Sequence, residues 1–413
     1  MPYELFIAFR YLTARRKNVF IWVFSLISLL GVTVGVMALV VALALMTGFQ
    51  EDIQDKIFGA NPHLTIRGGW GGSPIPNPEE VSRIAEEVPG VIATAPVVHE
   101  QGLLVSERNS TGYAVSVKGI SPRLESLVTR IKEDIVAGNL DALVEETASG
   151  REGIILGKDL ARNLGVWIGQ RVNLLTARPE VSPFGLHPRV VSFEVVGIAD
   201  SGFYDYDSGR CYISLAAARR LAALGAGATV VEVRVDSLRH LKETGDRLQD
   251  RIGESLFVTN ILEMNRIFFS ALKAEKLGMF LAIGLIVVVA GLNIISTLIL
   301  MVLEKVKDIG TLMSLGATAR SVMAIFILQG VLIGILGTLL GAVGGTTLCW
   351  FLDSYQVINL RPEVYYISYV PFKIRLGDVS VVMLVSIIVS FLATIYPSWF
   401  AARMRPVEAL RYE

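Results

Sequence analysis

Four stretches of this chain carry long apolar runs, and no Asp, Glu, Lys, Arg or His falls inside any of them. They are NVFIWVFSLISLLGVTVGVMALVVALALMTGFQ (18–50), LGMFLAIGLIVVVAGLNIISTLILMVL (277–303), SVMAIFILQGVLIGILGTLLGAVGGTTLCWFL (321–352) and VSVVMLVSIIVSFLATIYPSWFAA (379–402). A membrane-spanning helix needs about 20 such residues, so each run is expected to be a transmembrane helix. The first far exceeds the apolar core of a secretion signal, and no small-residue cleavage site follows it. The chain as a whole is 52% hydrophobic and 18% charged. It is too apolar for a soluble protein of this size and too charged to lie wholly in lipid, which predicts an integral membrane protein with a large aqueous portion.

The basic residues next to the spans predict direction. Arg10, Arg15, Arg16 and Lys17 precede the first span, Lys305, Lys307 and Arg320 lie between the second and third, and Arg403, Arg405 and Arg411 follow the fourth. Four crossings put all of them on the cytoplasmic side, with 304–320 as a cytoplasmic loop and 403–413 as a cytoplasmic tail. Residues 51–276 and the loop 353–378 then lie across the membrane. Spans one and three exceed the thickness of the bilayer and are expected to project outward as stalks. The segment 1–17 places Leu5, Phe6, Phe9 and Leu12 at helical spacing, as in an amphipathic helix lying on the inner surface.

Glycines recur every fourth residue at 31 and 35, at 330 and 334, and at 337, 341 and 345. Such small-residue faces let helix backbones approach closely in lipid, within the chain or with another subunit. The absence of ionisable groups from the spans argues against a pump or ion-coupled carrier, because proton and ion pathways need such groups. Gln329 and Asn293 are poor substitutes.

Between the first two spans, short strands and helices alternate. Strands are expected at 63–68, 91–98, 113–120, 229–236 and 256–260, with helices at 78–88 and 237–252. Two β-α-β units separated by an insertion predict an α+β domain: a split β-α-β core with an inserted, mostly β subdomain at about 121–228. GIILGKD (153–159) contains the Gly-Lys of a phosphate loop but has Glu152 where that loop needs glycine and Asp159 where it needs Ser or Thr. It is read as a strand entering a helix. The four histidines lack metal-ligand spacing, and no GxSxG, HExxH or Cys-His arrangement is present. Asp205 and Asp207 are read as surface turn residues. Cys211 and Cys349 are too few for a disulfide framework, and no basic-aromatic tract suggests nucleic acid. No catalytic, metal or cofactor site is expected in this chain.

Two segments are unusual. RPEVSPFGLHPRV (178–190) holds three prolines and a glycine between strand-like flanks. It is longer than an ordinary hairpin loop and is read as a proline-stiffened arm suited to docking a protein. EKVKDIGTLMSLGATAR (304–320) opens with four charges, Glu304, Lys305, Lys307 and Asp308, between two apolar runs. One charge at mid-bilayer costs about 2.5–3.5 kcal/mol, so these must lie in water. Ile309, Leu312 and Met313 then give a short helix with one apolar face, ending near Gly316.

The order of long span, large outer domain and three close spans, with E-K-x-K-D-I-G-x-L-x-S-L-G-A between the second and third, resembles the four-span ABC permeases that include macrolide-efflux and cell-division members. GVMALVVALALMTGFQEDIQDKIFG (35–59), the amphipathic start and P-F-G-L-H-P (183–188) are similar to the lipoprotein-releasing permeases LolC and LolE. That resemblance implies a permease in the inner membrane of a Gram-negative bacterium that draws triacylated lipoproteins from the bilayer and passes them to a LolA-like periplasmic chaperone. It implies a second permease copy or a LolE-like sister, and a LolD-like cytoplasmic ATPase that holds the ATP and Mg²⁺. It also assigns residues. Glu304, Lys305, Lys307, Asp308, Ile309, Gly310, Leu312, Leu315 and Gly316 would form the coupling helix that meets the ATPase. Pro183, Phe184, Gly185, Leu186 and Pro188 would form the hook that holds the chaperone. Val40, Leu43, Met46 and Phe49 would line a lipoprotein cavity. A transmitter that regulates a periplasmic partner and an efflux or export permease of the same superfamily are the alternatives.

Overall fold

The computed structural model describes residues 3–13, 19–69, 72–107, 111–145, 147, 150–182, 185–361 and 369–403. The chain divides into two units, Met1–Gln50 with Ala271–Ile358 and Val370–Glu413, and Glu51–Ser270 with Asn359–Tyr369. Arg15, Arg16, Lys17, Arg405 and Arg411 lie outside the described residues.

Among the described residues, four helices are long and apolar enough to cross a membrane: Val19–Ala60, Arg266–Glu304, Ala319–Ser354 and Leu376–Ala402, called spans one to four. The second begins eleven residues before its apolar run at 277, so span two, with 39 residues, is long as well as spans one and three, with 42 and 36. Residues 266–276 interleave Arg266, Lys273, Glu275 and Lys276 with Ala and Leu. These charges end a hydropathy run, but all are compatible with helix.

Span three is the hub of the first unit. One of its faces, Gly337, Gly341 and Gly345, is buried against Val32, Val36 and Val40 of span one. Another, Gly330 and Gly334, is buried against Thr394 and Ser390 of span four. In span one, Gly31 and Gly35 face Asn293 and Ala290 of span two. The spacing seen in the sequence is therefore used inside the chain. Beside these contacts Val32, Val36, Leu39, Ile294, Leu298, Val382 and Ala393 form the apolar core of the bundle.

The second unit is built on ten strands: β1 (Leu64–Gly68), β2 (Val91–Ser106), β3 (Tyr113–Ile120), β4 (Ile135–Gly138), β5 (Glu152–Gly157), β6 (Arg171–Ser182), β7 (Gly185–Ala199), β8 (Arg210–Ser214), β9 (Val230–Val235) and β10 (Leu256–Asn260). At one end the order is β10-β1-β9-β2, with every pair antiparallel. At the other, β2 pairs β3, and pairing continues through β8, β5, β7 and β6 back to β2, which closes a ring of six strands. Closure removes exposed strand edges. The ring encloses Leu104, Val117, Ile154, Leu156, Val172, Leu174, Phe193 and Ile213, all essentially buried. β2 belongs to both parts: Val91–Val97 pair β9, and Val98–Ser106 serve the ring.

Around β2, to which β3 and β9 both pair, three charged side chains are almost fully buried: Lys118 of β3, Glu232 of β9 and Glu125 of the helix Pro122–Val128. Lys118 Nζ lies 2.7 Å from Glu125 Oε1 and 2.8 Å from Glu232 Oε2. Burial alone would raise the Glu232 carboxyl, but Lys118 and His99 outweigh it and hold the group down at about 2. Removing one partner of such a set strands a buried charge, which costs about 3–5 kcal/mol.

One local expectation is corrected here, and the arm expected at 178–190 gains its backbone form. Asp207 is not a surface turn residue: it is 4% exposed in the helix Tyr204–Gly209 and accepts hydrogen bonds from Ser201 N–H (2.9 Å) and Oγ–H (2.8 Å). In the arm, residues 179–182 and 185–188 are paired strand. β6 and β7 stay paired outward through Pro179↔Pro188 to Ser182↔Gly185, after a register shift between Leu175 and Pro179.

The packing of span three yields a direct test. A methyl group added to Gly341 would lie 2.6 Å from the Thr33 carbonyl oxygen and 2.7 Å from Val36 Cβ, whereas one on Gly344 would meet only Met37 Sδ, at 3.5 Å. Gly341→Leu is expected to cost about 1–3 kcal/mol of overpacking, seen as a lower melting temperature in detergent. Gly344→Ala should leave that temperature unchanged.

Candidate coupling helix, arm and span-one face

The charged stretch after span two forms a separate short helix, Val306–Ser314. A turn at Lys305 breaks it from span two, and Lys305 Nζ lies 2.7 Å from Asp308 Oδ2 across that first turn. Its end is a Schellman motif: Ala317 N–H donates to Leu312 O (3.0 Å) and Gly316 N–H to Met313 O (3.1 Å). The motif requires a left-handed residue, and Gly316 supplies φ = +100°. Thr318 then caps span three, its Oγ1 accepting from Ser321 N–H at 3.2 Å.

The helix is seated by its inner face. Ile309 is 1% exposed and packs with Val302, Val322, Phe326 and Ala401, with Met313 beside them. Ile309 and Gly310, expected in the contact set, are therefore buried and hold the helix in place rather than offering it to a partner. Glu304, Lys305 and Leu312 are half-buried, while Lys307, Asp308, Thr311, Leu315 and Gly316 are exposed. Leu315 stands 81% exposed at the tip. Thr311 was missed by the sequence reading, because a threonine between apolar neighbours gives no signal of its own.

The arm residues divide. Pro183 and Phe184 lie outside the described residues. Gly185, Leu186 and Pro188 sit on the outer part of β7, opposite Ser182, Val181 and Pro179 of β6.

Among the span-one residues, Met46 is 7% exposed, and Val40, 2% exposed against Gly345, lines with Leu43 a narrow pocket completed by Lys373, Asp378 and Val382. Leu43 and Phe49 are half-buried. A second narrow crevice, of about 20 Å³, is lined by Gly35, Leu39, Ile286, Ala290 and Val389 of spans one, two and four. On span two, Leu281, Leu285, Val288 and Leu292 form an exposed stripe at helical spacing. Both were hidden from sequence reading, because every face of an apolar run looks alike. Among the described residues, no group of three or more His, Cys, Asp or Glu is placed to hold a metal ion.

Ile309 and Leu315 should separate cleanly in stability measurements. Ile309→Ala opens a hole among four packed side chains and is expected to cost about 2–5 kcal/mol. Leu315→Asp, at an exposed tip, should leave thermal unfolding in detergent unchanged.

Comparison with known proteins agrees across the whole chain. The model of the MacB-like periplasmic core domain matches residues 25–251, and that of the FtsX-like permease C-terminal region matches residues 280–406. The lipoprotein-releasing system transmembrane protein LolC of Xylella fastidiosa (strain Temecula1) is 33% identical over 420 residues, covering 100% of this chain and 99% of its own length. LolC of Neisseria meningitidis serogroup B is 33% identical over 419 residues, covering 99% of each chain. LolE of Haemophilus influenzae is 25% identical, again over 99% of each. With four apolar helices and a MacB-like head between the first two, the chain belongs to the LolC/LolE family of lipoprotein-releasing system transmembrane proteins.

Proposed function

We propose that this chain is the permease subunit of an ATP-driven complex that lifts lipoproteins from the inner membrane and hands them to a periplasmic chaperone. The observation that carries the reading is the end-to-end match to LolC at 33% identity, which spans head, bundle and coupling segment together. In this reading the termini and the helix Val306–Ser314 are cytoplasmic and the ten-stranded head is periplasmic. We read β10-β1-β9-β2 and its helices as a split β-α-β core, and the ring as a mostly β subdomain carried by it.

The division of labour follows from the chemistry. The chain supplies no catalytic group; a separate ATPase subunit binds ATP and Mg²⁺ and hydrolyses the nucleotide. Lys307, Asp308, Thr311 and Leu315 present the coupling helix to that subunit, and the packing of Ile309 transmits its displacement to spans two, three and four. Each acyl CH₂ drawn out of lipid costs about 0.8 kcal/mol, so extraction needs both a driven stroke and an apolar acceptor. The charge-free stripe on span two suits acyl chains. The β6–β7 ribbon, with Pro183 to Pro188 at its end, holds the chaperone. A second permease, a copy of this chain or a LolE-like sister, completes the complex.

The test removes the arm and keeps the motor. Deletion of 182–188 in the reconstituted complex should abolish transfer of a triacylated lipoprotein from proteoliposomes to soluble chaperone, while ATP hydrolysis persists. Transfer at the undeleted rate would contradict the proposal.

A further inference from the structure

The outer end of span one is held by side chains to which none of the roles above assigns a task. The last carbonyls of a helix have no partner within it. Here Gly59 O accepts from Arg130 N–H (3.0 Å), Ile57 O accepts from Asn61 Nδ2 (2.8 Å), and Ala60 O accepts from Arg210 Nη1 (3.2 Å). Arg210 Nη2 also donates to Asn61 Oδ1 (3.1 Å), and Asn61 Nδ2 donates to the Tyr206 hydroxyl (2.8 Å). The guanidinium carbon stands 4.0 Å from the centre of the Tyr206 ring. A fixed cation at the negative end of a helix is favourable, and a planar fork that meets two acceptors fixes direction as well as distance. Ile53 and Ile57, the preceding inward positions of the same helix, are 1% and 2% exposed.

Arg210 is also the first residue of β8, paired with Ser116 of the adjacent β3 in the ring. Two residues on, Tyr212 lies opposite Lys118, whose ammonium joins Glu125 to Glu232 of β9. Helix end, ring and core strand are thus linked by adjoining polar contacts, those of Lys118 almost fully out of water. Exposed ion pairs contribute about 0–1 kcal/mol and shift freely, whereas these groups have few alternative partners.

We infer that Arg210 is a positioning residue: it clamps the outer end of span one to the six-stranded ring, so that movement of that helix is passed to the strands that carry the arm. The functional part of this inference rests on the lipoprotein-release reading; the clamp itself does not.

The experiment uses the full complex with its ATPase in proteoliposomes, with nitroxides on Gln54 of span one and Ile168 of the ring domain. Arg210→Met should broaden the distance distribution measured by pulsed EPR and lower lipoprotein transfer about tenfold, within the usual range of coupling between sites, while ATP hydrolysis and chaperone binding stay at wild-type levels. Arg210→Lys keeps the charge and one donor but loses the fork, and should fall between wild type and Arg210→Met in both measurements. If Arg210→Met does not fold, Arg210→Lys decides alone. A wild-type distance distribution and wild-type transfer in the folded variants would overturn the clamp, as would loss of ATP hydrolysis in step with transfer. A wild-type complex that transfers no lipoprotein would reject the release reading, and the EPR comparison would still decide the clamp.

Discussion

Hydrocarbon solvates neither charge nor unpaired backbone, and that one fact orders this chain. A helix can lie in the bilayer only if its side chains are apolar, and two helices gain little from meeting there unless their backbones come close. Span three meets both conditions at once. Its glycines form two faces, and each receives a different neighbour: valines of span one on one side, small hydroxyl residues of span four on the other. Where the apolar run stops, the charged segment must leave the lipid, and Ile309 anchors it against span ends rather than leaving it a loose connection.

The head solves the opposite problem, staying ordered in water while carrying an extended ribbon. A ring of strands has no free edge to pair wrongly, and its interior is filled by branched and aromatic side chains. One long strand, β2, is shared with the four-strand array, so the two parts cannot move independently along it. Lys118 adds direction to that joint. An apolar contact there would be as strong, but a lysine between two glutamates accepts few other arrangements.

The sequence disclosed most about what lies in lipid and least about what faces inward within short elements. The four spans were legible because a charge-free apolar run has one low-cost fate. The extension of span two through 266–276 was not, since Lys273, Glu275 and Lys276 interrupt hydropathy without interrupting a helix. Prolines at 179 and 188 marked a stiffened arm but hid its strands; they face each other in a two-stranded ribbon where a missing donor is tolerated. Asp207 resembled a turn acid because nothing local announces Ser201 as its donor. At the coupling helix the position was readable from EKVKD, but which of Ile309, Leu312 and Leu315 would point outward depended on Val322, Phe326 and Ala401, the last far along the chain. Val40 and Met46 were placed on a cavity by resemblance; the glycines of span three, close to Val40, show how deeply that residue is packed.

In the lipoprotein-release reading, force enters on one side of the membrane at Leu315 and is used on the other by the head. Single cysteines at Leu315 and Ile168, in a chain whose Cys211 and Cys349 are replaced, test it most directly with a membrane-impermeant maleimide. The account predicts that Ile168→Cys is labelled once the outer membrane is opened, and that Leu315→Cys is labelled only after the inner membrane is permeabilised. Labelling of both positions under the same condition would contradict it.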